Sequence, residues 1–201
     1  MKFWLALATV AMFLFLPSRS ADAQKRFFPA DMVDSVWWSD LIDDEPVLSK
    51  VGSLDGFKTR FRLSISGIVI KRALIRIDEK ANGEGVGRVA IVRPAARWPR
   101  SRDLVADVDR TFRVSAEDMK ALHDQIAATK LWNLVPQEHW VSNDPNDICI
   151  DGEQLVFERL DAGGYRLSEG NAQCTIPPSV RDVARTIITL SGERWPLGLL
   201  Q

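Results

Sequence analysis

Phe57-Lys58-Thr59-Arg60-Phe61-Arg62-Leu63-Ser64-Ile65-Ser66 alternates, residue by residue, between side chains suited to a dry surface and polar ones. A period of two marks a β-strand, because successive side chains leave the backbone on opposite faces. The stretch therefore predicts a strand with one dry face and one wet face. Gly67 punctuates it, and Ile68 to Ile77 continues as a β-branched run in which Ala73-Leu74-Ile75-Arg76-Ile77 alternates again. Ala81-Asn82-Gly83-Glu84-Gly85 is a turn sequence, and Val86 to Val92 returns as a further strand. Nothing of helix length separates these strands, which points to an antiparallel meander rather than to βαβ units.

Downstream, Arg93 to Arg102 reads as a loop broken by Pro94 and Pro99, and a short strand is expected near Thr111–Val114. Ser115-Ala116-Glu117-Asp118 fits the S-x-x-D start of a helix, and Met119, Leu122 and Ile126 supply its apolar stripe. That helix should end near Trp132-Asn133, ahead of Pro136. A hairpin follows from about Cys149 to Cys174, with Leu155-Val156-Phe157 at its core and Asp161-Ala162-Gly163-Gly164 as its turn. Ser179-Val180-Arg181-Asp182 repeats the helix-start pattern after Pro177-Pro178. Val180, Val183, Ile187 and Leu190 line one face, and Gly192 suits the C-terminal cap. The order strands, helix, hairpin, helix predicts an α+β fold: an antiparallel sheet with two helices packed on one side and a disulfide-tied hairpin.

The N-terminus carries an address. Met1-Lys2 is followed by fourteen uncharged residues from Phe3 to Leu16, a break at Pro17-Ser18-Arg19-Ser20, and Ala21-Asp22-Ala23 in A-x-A spacing. This is the layout of a signal peptide over residues 1–23, and its apolar run falls short of the about 20 residues that span a bilayer. Cleavage would leave a chain of 178 residues starting at Gln24, with no transmembrane segment, in the periplasm or the medium. Two cysteines in such a compartment suggest a disulfide. Opposite positions in the expected hairpin sum to 325, and Cys149 and Cys174 sum to 323, so the two should lie nearly across from each other. Closing that loop would stabilise the fold by roughly 3.5 kcal/mol. No Cys-x-x-Cys redox motif is present.

Residues 24–56 form an acidic, aromatic-containing lead-in segment, in which Phe27-Phe28 and Trp37-Trp38 are interleaved with Asp31, Asp34, Asp40, Asp43, Asp44 and Glu45. Its aromatic pairs are expected to fold back on residues 57–201, the single α+β domain, while its carboxylates stay wet. Charge is unevenly spread: a net of −4 over 24–56, +8 over 57–113 and −6 over 114–201. Such segregation suits a basic sheet face set against acidic parts of the same molecule, or a basic surface for an anionic partner.

Catalytic and metal-binding patterns are sparse. Counted from Asp147, the residues Asp151, Gly152 and Glu158 fall at positions 5, 6 and 12 of an EF-hand loop. Cys149 at position 3, Gln154 at position 8 and the lack of flanking helices argue against it, and Asn143, Asp144 and Asn146 could serve only a less regular ion site. The two histidines, His123 on the first helix and His139 in Glu138-His139-Trp140, have no metal-ligand spacing. Gly52-Ser53-Leu54-Asp55-Gly56 misplaces the serine of a nucleophile elbow, and no phosphate-binding loop of the G-x-x-x-x-G-K type occurs. The outstanding surface feature is the loop in which Arg93, Arg97, Arg100 and Arg102 surround Trp98. Guanidinium groups clamp carboxylates or phosphates in pairs, and an indole stacks on either a ligand or an arginine.

Trp132-Asn133-Leu134 after a helix, then Cys149-x-Asp151-Gly152, Glu158 and Gly164-Tyr165, resembles small exported bacterial domains of uncharacterised function over residues 110–195. The resemblance implies one compact exported domain and brings no activity or site with it. The expectation is a non-enzymatic binding or accessory domain of the cell envelope, with no cofactor and no metal. Its partner would be a protein or an anionic envelope component, and nucleic acid is not expected. The alternative is an extracytoplasmic hydrolase with a dispersed site, using His139 with Glu138 or Asp151.

Overall fold

In the computed structural model the described residues are 45, 48–52, 54–66, 72–94, 104–129, 131–133, 153–172 and 176–194. Six strands, β1 (Thr59–Ser66), β2 (Arg72–Glu79), β3 (Gly85–Pro94), β4 (Leu104–Val114), β5 (Gln154–Asp161) and β6 (Gly164–Asn171), make one sheet in the order β4-β3-β2-β1-β5-β6. Every neighbouring pair is antiparallel. The meander is thus β1 to β4, and the β5–β6 hairpin docks on the free side of β1. The fold is α+β, with helices α1 (Ala116–Thr129) and α2 (Pro178–Leu190).

α1 carries the chain from the β4 edge back across the sheet. Four strand spacings separate β4 from β5, about 19 Å, and fourteen helical residues span about 21 Å. The Ser115 hydroxyl accepts the Asp118 N–H at 3.0 Å and donates to the Asp118 carboxylate at 2.7 Å. Met119, Leu122 and Ile126 are its buried residues, as the stripe requires. α1 stops at Thr129, and Leu131–Asn133 form a separate 3-10 turn rather than its last residues. α2 differs from expectation at its start: Pro177 is the cap, Pro178 opens the helix, and no side chain caps it, so Ser179 lies inside the first turn. Proline suits this place, because its missing N–H is one that the first turn leaves unpaired. At the other end Gly192 (φ 74°) donates to Thr189 O and Glu193 donates to Ile188 O, closing a Schellman motif.

Both helices share one apolar cluster with a single sheet face. Phe61, Leu63, Ile65, Ala73, Ile75, Ile77, Val89, Ile91, Leu155 and Phe157 meet Met119, Leu122, Ile126, Val180, Val183, Ala184, Ile187 and Ile188 there. At Gly87, opposite Phe112, an added Cβ would lie 2.1 Å from the Phe112 ring, so the ring occupies the space that glycine leaves.

Three expectations about the strands also need correction. The short strand near Thr111–Val114 is the end of an eleven-residue strand starting at Leu104. Arg93 and Pro94 belong to β3, not to the loop. The even-numbered face of β1 is not wet: Arg60, Arg62 and Ser64 are all buried. The hairpin turn is as read, with Asp161 paired to Gly164 and every rung of the β5–β6 ladder summing to 325.

Candidate functional site

The even-numbered sheet face explains why its arginines can be buried. Thr111, Arg88, Arg76, Arg62, Glu158 and Leu167 stand on one rung across all six strands. Arg62 grips Glu158 with two parallel hydrogen bonds, Nε to Oε2 at 2.5 Å and Nη2 to Oε1 at 2.8 Å. The Tyr165 hydroxyl donates to the same Oε1 at 2.9 Å. Arg62 and Glu158 are 4% and 1% exposed, so both were stripped of water. Burial alone would lower the Arg62 pKa, but Glu158 outweighs it and leaves the guanidinium above its ordinary value. Burial beside Glu158 also pushes the Tyr165 phenol up.

On the next rung Arg60 pairs with Asp78 through two bonds, and Arg76 Nε lies 3.2 Å from the same carboxylate. Glu45, from the lead-in segment, sits over this face. Its Oε1 accepts from Arg76 at 2.5 Å and from Arg88 at 3.2 Å. Glu45 is 4% exposed, which corrects for this residue the expectation that the lead-in carboxylates stay wet; Asp31, Asp34, Asp40, Asp43 and Asp44 lie outside the described residues. Arg88 also holds Asp109 bidentately, at 2.9 and 2.8 Å, and keeps that carboxyl below its usual range. Leu48, in a 3-10 turn at Leu48–Lys50, covers the hairpin end with Val156, Tyr165 and Leu167. Four arginines (60, 62, 76, 88) therefore face four carboxylates (45, 78, 109, 158) within this cluster.

A histidine–carboxylate pair exists, at a position the sequence did not single out as a pair. His123 Nε2 lies 2.8 Å from Glu79 Oε2, Lys58 donates to Oε1 at 2.9 Å, and the Phe61 ring meets the imidazole edge-on. Burial pushes the Glu79 carboxyl up, but hydrogen bonds from Lys58 and His123 outweigh it and hold it below its ordinary value. Both carboxylate oxygens are thus engaged, one by the Lys58 ammonium and one by the His123 ring, an arrangement suited to tying α1 to the sheet. His139, Glu138 and Asp151, the residues of the hydrolase reading, lie outside the described residues. Glu158, the twelfth position of the EF-hand spacing, is committed to Arg62 and Tyr165. Among the described residues no group of three or more His, Cys, Asp or Glu side chains could hold a metal ion, and no helix is long and apolar enough to cross a membrane.

The remaining candidate is the β4 edge. Arg93 is exposed at the end of β3, and its Nε donates to Asp107 of β4 at 2.7 Å. Arg97, Trp98, Arg100 and Arg102, between those two strands in the chain, lie outside the described residues, as do Cys149 and Cys174. β4 has β3 as its one neighbour in the sheet. Val105, Ala106, Asp107, Asp109, Arg110, Thr111 and Arg113 are all exposed, and Val105, at 40%, is the one large exposed hydrophobic residue among those described. β6, the opposite edge, is shorter and has no exposed position: Tyr165, Leu167, Ser168 and Gly170 are buried and the rest half-buried. No repeat of polar signature pointed to β4 in the sequence; the clue was its mixed charge, Asp107, Asp109, Arg110 and Arg113, on a segment too polar to be interior.

Comparison with known proteins assigns the chain to no group: no family model, no curated protein and no solved structure matches it.

Proposed function

We propose that the protein is an exported, non-enzymatic binding or accessory domain of the cell envelope that engages a polypeptide partner along β4 and the adjoining arginine loop. The observation that carries this reading is the outer strand: eleven residues, exposed along most of their length, with one neighbour. A strand in this position offers a row of backbone N–H and C=O groups to any extended chain that adds to the sheet. The signal-peptide pattern of residues 1–23 supports export to the periplasm or medium, and the disulfide between Cys149 and Cys174 belongs to the same reading. The β5–β6 register, which sums to 325, is the alignment from which that pairing was inferred.

Native mass spectrometry of the protein purified gently from its own compartment tests the proposal. The expected result is a chain beginning at Gln24, two hydrogens lighter than its dithiol form, with a second polypeptide attached. Arg97→Ala with Arg100→Ala should lower the recovered complex without moving the unfolding midpoint. Adjacent strand residues direct their amides to opposite sides, so Arg110→Pro and Thr111→Pro made separately identify the outward-facing position. The outward proline should abolish the complex. Recovery of the bare chain alone, even after chemical cross-linking in the cell, would overturn the reading.

A further inference from the structure

We infer that the polypeptide accepted by β4 is a second copy of this chain, paired antiparallel about a two-fold axis through Thr111. The inference rests on the proposed strand-addition reading and specifies its partner. In such a pair, residue i of one copy stands opposite residue 222 − i of the other, and each sheet face continues into the same face of the second copy. Val108 then meets Val114, Asp109 meets Arg113, Arg110 stands beside Phe112, and Thr111 meets itself. Every charged contact on the Asp109 face is an attraction, made twice by symmetry. Directly opposed unlike charges favour a register, and like charges disfavour it. Centring the pair on residue 110 sets Arg110 against itself, centring on 109 sets Asp109 against itself, and centring on 108 sets Asp107 against Asp109.

Two structural observations agree with this register. Arg113 is exposed and forms no ion pair among the described residues, while the Asp109 side chain, whose two oxygens both accept from Arg88, is still 46% exposed. Each is therefore open to the other across the axis. The β3–β4 ladder shifts register between Ile91 and Val92, opposite Val108 and Ala106. Such a bulge twists an edge away from pairing. It affects the N-terminal part of β4, where Asp107 also pairs with Arg93, and leaves Val108–Val114 in regular register. The regular stretch and the self-complementary stretch are the same seven residues.

Sedimentation of the mature chain over a concentration series should show a reversible dimer. Arg113→Glu, which removes no internal ion pair, should weaken it by roughly tenfold or more, because one substitution reverses two cross-strand pairs. Asp109→Arg should do the same, and the double variant should recover dimerisation. Opposed residues on antiparallel strands have Cα atoms about 4.5–5.5 Å apart, within disulfide range. Thr111→Cys should therefore oxidise to a dimer linked through position 111 of both copies, whereas Val105→Cys should not. A monomer at every concentration, linkage at Val105 in place of Thr111, or an unchanged dimer in Arg113→Glu would overturn the self-pairing. If the chain is monomeric but a different polypeptide is captured and then lost with the outward proline, self-pairing fails while strand addition stands. If neither complex forms, both fail.

Discussion

Phe61, Leu63 and Ile65 leave β1 toward the helices, and Arg60, Arg62 and Ser64 leave it the other way; both sets end shielded from water. The first set is buried by shape, with apolar side chains from five strands and both helices filling one cluster. The guanidinium groups of the second are buried by pairing, Arg60 with Asp78 of β2 and Arg62 with Glu158 of β5. The difference teaches that two kinds of interior can share one strand, and that they should fail differently. Apolar burial degrades by increments as volume is lost. An ion pair sealed from water fails when one partner goes, since the survivor remains charged in a place that no longer solvates it.

The largest effect should come from the apolar side. Phe157→Ala empties the volume of a ring that is 2% exposed in the centre of the cluster and should lower stability by about 4 kcal/mol, measured by chemical denaturation. On the ionic side Arg62→Met should cost about 3 kcal/mol, because Glu158 and Tyr165 lose the cation around which they are arranged. Replacing the unit together, as Arg62→Met, Glu158→Leu and Tyr165→Phe, should return stability to near the starting value. If the triple variant is as unstable as the single one, the two interiors do not differ in the way described.

The smallest effect sharpens the contrast between two buried acids five residues apart. Glu158 is held by an arginine and a tyrosine, whereas burial pushes the Glu153 carboxyl up from 4.5 to about 7. A carboxyl whose pKa is raised on folding binds protons more tightly in the folded state, so its contribution is present below pH 4.5 and lost as pH rises through about 7. Glu153→Gln should flatten that decline in thermal unfolding profiles, and an unchanged slope would assign it to other groups.

Much of the fold was legible because periodicity reports local geometry. The alternation from Phe57 located β1, the Asp161-Ala162-Gly163-Gly164 turn set the hairpin register to the residue, and Ser115 with Met119, Leu122 and Ile126 defined α1. What alternation could not report is the destination of the polar face. Lys58, Arg60 and Arg62 look alike in sequence, yet Lys58 is exposed and the two arginines are buried, because Asp78 and Glu158 reach them from other strands. The segregated charge held the relevant hint, since a basic sheet set against acidic segments of the same molecule is what the rungs contain. β4 was underestimated for the complementary reason. Val108, Phe112 and Val114 pack on the core from one face of β4, but the exposed Arg110 interrupts that alternation, so only its last four residues gave a strand pattern.

The Arg62–Glu158 pair joins residues 96 positions apart. During synthesis the four-stranded meander exists as a sequence long before β5 does, and through that interval the side of β1 that will receive β5 is an unfinished border. Hydrophobic strands waiting in this condition are those that stick to other unfinished chains. A charged residue in such a strand acts as a gatekeeper against wrong neighbours. Arg62 thus has two lives: in the incomplete chain it is a hydrated guard on an open border, and only the arrival of Glu158 relieves it.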